Sequence, residues 1–231
     1  MSKLEIKNMK DNKSAYNSKV YDENIASTLP YYHEYHNQIL DLVKAIGTQN
    51  IDWLDTGCGT GTLASEVLKC RDDVRFTLCD PSEQMLNIAK EKLLGRNIRV
   101  FNIPSQKMTF DSEFDVVTAV QSHHYLNSDE RRIAVEKCFN ALKSAGVFIT
   151  FENIRMTTET SDKIALKRWE NFLSEHLKDP EVVKMHIERR GVEVFPITIE
   201  DHIKLLREAG FKSVDVLWTS YLQAGFWAMK F

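Results

Sequence analysis

The sequence contains no apolar run approaching the roughly 20 residues that span a bilayer. Its first residues, MSKLEIKNMKDNKSAYNSK, lack the apolar stretch of a secretory signal. It has no pair of cysteines at CxxC spacing and no zinc-like pattern, because Cys58, Cys70, Cys79 and Cys138 stand singly. Most of these fall in expected strands, helices or a glycine turn, where cysteine serves as a small apolar residue. A reduced, cytoplasmic setting without membrane attachment is expected. There is no large surplus of either charge: a net charge of −3 gives no general pull toward nucleic acid or an acidic membrane. Internal repeats and low-complexity segments are also lacking. What remains is the composition of an ordinary globular chain, 43% hydrophobic and 27% charged. Its 231 residues suffice for one α/β domain with a small cap.

Hydrophobic periodicity organises the chain. Residues 1–30 are polar with scattered aromatics and read as a loose N-terminal arm. From Tyr31, the positions Ile39, Leu40, Leu42, Val43 and Ile46 recur at helical spacing up to Gly47. Strand and helix signals then alternate: strands at 51–55, 74–79, 98–102, 114–120 and 147–152, with helices at 62–68, 82–94 and 128–142. Ser128 is the expected cap of the last helix and Gly146 its stop. Such alternation predicts a doubly wound, mostly parallel sheet. The pattern breaks over 152–197, where two amphipathic helices follow one another without a strand. One carries Leu166, Trp169, Phe172, Leu173 and Leu177 on one stripe; the other starts at Asp179-Pro180 and stops at Gly191. This insertion is expected to stand over the carboxyl edge of the sheet as a cap. Residues 31–151 and 198–231 form the expected core, in which Thr198 and Asp201 make a capping box and 212–230 a hairpin.

The sharpest motif is Trp53-Leu54-Asp55-Thr56-Gly57-Cys58-Gly59-Thr60-Gly61-Thr62. A strand enters, three alternate glycines turn, and a helix leaves. Glycine permits positive φ and lets backbone pass close to a ligand, while the helix beyond offers free N–H groups to an anion. Asp55 can accept from an ammonium group. Asp80 ends the next strand, where nucleotide-binding folds place an acid on ribose hydroxyls. The plain alternatives are a tight turn for the glycines and a helix cap for Asp80.

LDTGCGTG, followed by CDPSEQML, resembles the first two motifs of the class I S-adenosylmethionine-dependent methyltransferases. The likeness continues through FDVVTAVQSHHYL, ALKSAGVFITFEN and LLREAGFKSVDV. The GxGxG spacing is that of methyltransferases, whereas dehydrogenases favour GxGxxG. The resemblance implies a Rossmann-like, seven-stranded sheet with S-adenosylmethionine as cofactor. It further implies that Gly57 and Gly59 face the methionine part and that Asp80 holds the ribose. Pro81 and Met85 would flank the adenine, Ser105 and Gln106 would lie at its rim, and Gln121 would approach the amino group. The chain departs from its relatives at Ile103-Pro104-Ser105-Gln106, where many carry an acid followed by a small residue.

Methyl transfer needs proximity and alignment above all, and a base only when the nucleophile arrives protonated. His123 and His124 follow the fourth strand and can take a proton at neutral pH, or one of them packs the loop. Tyr16, Tyr21 and Tyr32 of the arm can fold over the cofactor or simply cover apolar surface. His186, Arg189 and Arg190 cluster in the cap, where guanidinium forks suit carboxylate or phosphate. Thr219, Ser220, Tyr221 and Gln223 fall near the substrate edge. No Asn-Pro-Pro-Tyr follows the fourth strand, which argues against nucleobase amino groups as acceptors. No acid cluster has the spacing of magnesium-dependent catechol enzymes, so no metal is expected, with Glu152-Asn153 the one pair left open. The expected function is methyl transfer to a small molecule. The alternatives are methyl or modified-methyl transfer on tRNA or protein, and a non-catalytic cofactor-binding protein. The arm VYDENIASTLPYY resembles that of carboxy-S-adenosylmethionine synthases, although the glycine loop does not follow theirs.

Overall fold

The computed structural model describes residues 11–231, so the first ten residues of the expected arm lie outside the described residues. Seven strands form one sheet in the order β3-β2-β1-β4-β5-β7-β6. They are β1 (Ile51–Thr56), β2 (Val74–Cys79), β3 (Ile98–Phe101), β4 (Phe114–Val120), β5 (Leu142–Asn153), β6 (Ser213–Ser220) and β7 (Gln223–Met229). Strands β1 to β5 pair in parallel, and β7 runs antiparallel to both β5 and β6. The doubly wound, mostly parallel expectation therefore holds. Among the described residues, no helix is long and apolar enough to cross a membrane.

Strand alternation splits the core into two layers. Trp53, Phe76, Ile149 and Phe151 pack on one face with α1 (Tyr32–Ile46), α2 (Thr62–Cys70) and α3 (Glu83–Lys92). Leu54, Phe114, Phe148 and Phe226 pack on the other with α4 (Ser128–Ala141) and α7 (Ile199–Glu208). Neighbours such as Trp53 and Leu54 part because successive strand side chains point to opposite faces. Both faces are covered, which is why FDVVTAV in β4 reads as a continuous apolar run rather than an alternating one.

Three local readings are corrected. Asn127, not Ser128, caps α4: its side chain accepts from Glu130 N–H while Glu130 reaches back to Asn127 N–H. Gly146 is not a left-handed stop, since Ala145 takes φ 64°. Gly146 is small for steric reasons, because a Cβ there would lie 2.9 Å from Leu142 Cδ2 and 3.2 Å from Asp115 O. Nor is the arm loose over 18–30. It coils through short helical turns and sends Ile25 and Leu29 into the core beside Tyr35.

The insertion forms α5 (Glu159–His176) and α6 (Pro180–Glu188), with the expected Asp179 cap and Pro180 start. Of the apolar stripe of α5, only Leu173 is fully buried. Trp169 Nε1 donates to Thr28 O at 2.8 Å, tying the insertion to the arm.

Candidate active site

The β1–α2 loop sets the floor of the site. Gly57, Gly59 and Gly61 all take positive φ, at 67°, 55° and 71°. A Cβ on Gly57 would fall 2.4 Å from Ser122 Cβ, so the β4 end forbids a side chain there. Gly59 has open space at the same point, leaving bare backbone to the cavity. Asp80 braces this loop: its carboxylate accepts Gly59 N–H at 2.9 Å and Ser82 N–H at 2.8 Å.

Above the loop lies a cavity of about 360 Å³. All ten residues expected at the cofactor line it: Tyr21, Asp55, Gly57, Gly59, Asp80, Pro81, Met85, Ser105, Gln106 and Gln121. They come from the ends of β1, β2 and β4, the loop after β3, the start of α3, and the arm. Asp55 is buried and accepts from Thr118 Oγ1 at 2.8 Å. Burial pushes its carboxyl up to about 7, with nearby Asp80 adding to the effect. Burial likewise pushes Asp80 up to about 6, against the two N–H donors that favour its ionised form. Neither acid forms an ion pair with a cationic side chain among the described residues. Gln106 Oε1, Gln121 Nε2 and Asn12 Nδ2, from three residues that line the cavity, are buried without hydrogen-bond partners among the described residues. A cavity with two desolvated carboxylates, orphaned polar atoms and a bare glycine backbone fits a polar ligand that carries positive charge. S-adenosylmethionine, with an ammonium and a sulfonium, meets that description.

The two histidines diverge. His123 lines the cavity, and its Nε2 lies 3.1 Å from Ser105 Oγ, itself 2.8 Å from Thr56 Oγ1. Burial pulls its imidazole down to about 4. His124 is absent from the cavity wall and packs behind it, with Nδ1 3.0 Å from a Glu152 carboxylate oxygen. Glu152 also accepts the N–H groups of His123 and His124 and the Thr150 hydroxyl. Burial alone would raise its carboxyl, but the His124 hydrogen bond and the surrounding imidazoles hold it well below the usual range. Buried Arg131 donates to His123 O, Leu126 O and Phe195 O. Glu152 and Arg131 therefore fix the turn that presents His123. With all these donors on Glu152, the Glu152-Asn153 pair left open for a metal has its carboxylate committed elsewhere.

A second, smaller cavity of about 60 Å³ shares Ser14, Tyr21, Gln121 and Tyr125 with the first. Tyr16, His186 and Arg190, expected at the substrate, line it together with Arg189, Trp169 and Asn153. Both arginines are partly committed, Arg189 to Glu193 at 2.7 Å and Arg190 to Asp162 at 2.9 Å. Tyr221 lines neither cavity; it packs under Arg168, whose guanidinium lies 4.0 Å from its ring centroid. The β6 turn thus carries it onto the outside of α5.

Sequence reasoning missed two acids, Asp11 and Asp22. Asp11 accepts from Ser82 Oγ and Gln84 N–H at the start of α3. Asp22 accepts from Thr60, Thr62 and Lys92 at the start of α2. Both act far from their own positions in the chain, and only the acidic character of the arm's DEN stretch signals either; Glu152 reads from the sequence as an open metal ligand, not as the anchor of the His123 turn.

A methyltransferase domain model matches residues 54–148. The carboxy-S-adenosyl-L-methionine synthase of Nautilia profundicola is 24% identical over 205 residues, covering 87% of this chain and 88% of that protein. The corresponding synthase of Staphylococcus epidermidis is 26% identical over 220 residues, covering 91% and 93%. The crystal structure of an S-adenosylmethionine-dependent methyltransferase of Thermotoga maritima superposes with a TM-score of 0.58 at 17% identity, covering 92% and 95%; this likeness is one of fold. The domain match, the relatives aligned over most of both chains, the sheet order and the glycine loop agree: the chain is similar to the class I S-adenosylmethionine-dependent methyltransferases and is an enzyme that uses S-adenosylmethionine.

Proposed function

We propose that the protein transfers the methyl group of S-adenosylmethionine to a small-molecule acceptor held between the His123 turn, the arm and the cap. One observation carries the reading: the cavity gathering the cofactor residues adjoins a smaller one walled by residues 14–28 and by α5–α6. In this reading Gly57 and Gly59 pass along the methionine part, and Asp55 takes its ammonium. Asp80 takes the ribose, Pro81 and Met85 clasp the adenine, and Ser105 and Gln106 close its rim. The bound cofactor supplies an electrophilic methyl on a sulfonium. The chain supplies alignment and a dry wall: Tyr21 and Tyr125 border both cavities and exclude water. His123 is uncharged at neutral pH, with Nε2 within hydrogen-bond reach of Ser105 Oγ. Its weak basicity suits an acceptor with an acidic proton, or one already anionic. His124 acts only through the fold of the turn. Tyr16, His186 and Arg190 face the acceptor, whereas Tyr221 serves to seat the cap. Residues 31–151 and 198–231 form the catalytic core, 152–197 the cap and 1–30 the arm.

The test is incubation with labelled S-adenosylmethionine and a metabolite extract, followed by mass analysis. A labelled small product together with S-adenosylhomocysteine supports the reading, and label on tRNA or protein would overturn it. The relatives named carboxy-S-adenosyl-L-methionine synthase, matched over about nine-tenths of both chains, favour a second reading in which the cofactor itself is modified. In that case the labelled product is a heavier, carboxylated form of the cofactor, and no S-adenosylhomocysteine appears.

A further inference from the structure

Three amides form a chain beneath the junction of the two cavities. Gln223 Nε2 donates to Asn153 Oδ1 at 3.2 Å, and Asn153 Nδ2 donates to Gln121 Oε1 at 3.4 Å. The ends of the chain have no partners among the described residues: Gln223 Oε1 at one, Gln121 Nε2 at the other. Gln223 is fully buried and Gln121 is 8% exposed, so a bare amino group at Gln121 carries a desolvation cost. Gln121 also sits at φ 52°, a region a non-glycine residue enters at a cost and keeps only when its surroundings hold it there. It is one of four residues lining both cavities.

A carboxamide has one donor end and one acceptor end, so a chain of three can run in only one sense at a time. With Oε1 turned to Asn153, Gln121 is left with Nε2 as its unpartnered group at the junction. A donor cannot serve an ammonium, so the amino group of the cofactor does not belong here, contrary to the sequence-based expectation for Gln121.

We propose that Gln121 is a specificity-determining donor for the acceptor molecule, and that Asn153 and Gln223 are positioning residues that set its polarity. The molecule recognised carries a carboxylate, phenolate or carbonyl oxygen beside its reacting atom, not a protonated amine. Tyr16, Trp169 and Tyr125 around the second cavity favour an aromatic or planar body. This inference rests on the transfer reading above.

The test uses benzoate and benzylamine, matched in shape and opposite in charge, added to the complex with S-adenosylhomocysteine. The readout is the Gln121 side-chain NH2 signal in ¹⁵N NMR, identified by its loss in Gln121→Met. Benzoate is expected to shift that signal and to bind about tenfold or more tightly than benzylamine, with the preference lost in Gln121→Met. In Gln223→Glu at pH 8, the carboxylate can only accept; the chain reverses and benzylamine becomes the better ligand. Equal binding of the two probes, or a signal that S-adenosylhomocysteine alone moves and benzoate moves no further, overturns the donor assignment. A Gln223→Glu variant that keeps the benzoate preference overturns the relay. Failure of S-adenosylhomocysteine to bind overturns the transfer reading instead, and calorimetry on the wild-type protein detects that separately.

Discussion

Asp52 and Asp55 lie three residues apart on β1, at opposite edges of the sheet. Asp52, at the amino edge, accepts from Arg75 at 2.8 Å and Lys143 at 3.0 Å, and the Arg75 hydrogen bond holds its carboxyl below the usual range. Asp55, at the carboxyl edge, has one hydroxyl donor and no cationic partner, and burial lifts it to about 7. The amino edge is electrostatically complete without a ligand. The carboxyl edge holds Asp55 and Asp80, two buried acids with no cationic partner among the described residues, an arrangement that favours a bound cation. An edge that satisfies its own charges serves the fold; one that leaves them unsatisfied is built for something else.

The largest effect that sharpens this contrast is expected at Glu152, a buried acid of the carboxyl edge whose oxygens are taken up by the fold. Glu152→Ala leaves the buried N–H groups of His123 and His124 without their acceptor and buried Arg131 without the nearby carboxylate, and should destabilise the fold by about 3–5 kcal/mol, read by denaturant unfolding. A loss within 1 kcal/mol would show that the network is ornamental.

Asp80→Ala should weaken S-adenosylhomocysteine binding by about 1–3 kcal/mol in calorimetry, since both the ligand contact and the brace on Gly59 go. Unchanged affinity would sink the ribose assignment.

A smaller effect is a pH dependence. The raised folded-state values of Asp55 and Asp80 mean that the folded chain holds protons which the unfolded chain has released. Between about pH 4 and 7 these two acids therefore lower stability as pH rises. Buried His36, His123, His186 and His202, each pulled down to about 4 with burial the largest cause, act in the opposite sense. The informative quantity is thus the difference between Asp55→Asn and wild type. The variant should gain melting temperature relative to wild type as pH rises from 5 to 7.5. Binding of the cationic ligand ionises Asp55, so wild-type affinity should rise over the same interval and the variant's should not. Parallel curves would refute the assignment of Asp55 to the ammonium.

The smallest effect belongs to the amino edge. Arg75→Ala, at a half-exposed ion pair, should cost under about 1 kcal/mol and leave ligand affinity untouched. A marked loss of affinity would mean that the two edges are coupled through β1.

Much of this site could be read in the chain because its parts are local. A glycine turn, a strand-end acid and a buried β-branched strand each depend on a few neighbouring residues. Backbone conformation and strand alternation then carry Gly57, Asp80 and Gln121 to one edge. Periodicity placed β2 and β4 at their observed ends, and Thr198 with Asp201 at the start of α7. Where the readings failed, a distant neighbour intervened. Gly146 answers to Asp115 across the sheet. His124 turns to Glu152 on β5, and Tyr221 to Arg168 on α5.

The sequence by itself determined the sheet and its glycine loop, because each follows from short-range conformational rules and hydrophobic period, and the resemblance that the loop carries pointed to the cofactor. Only the tertiary structure decided which histidine meets the cavity, which acids lack cations and which way the Gln121 amide faces. Those outcomes turn on burial and on donors supplied from tens of residues away. Neither can be read from a residue's own neighbours in the chain.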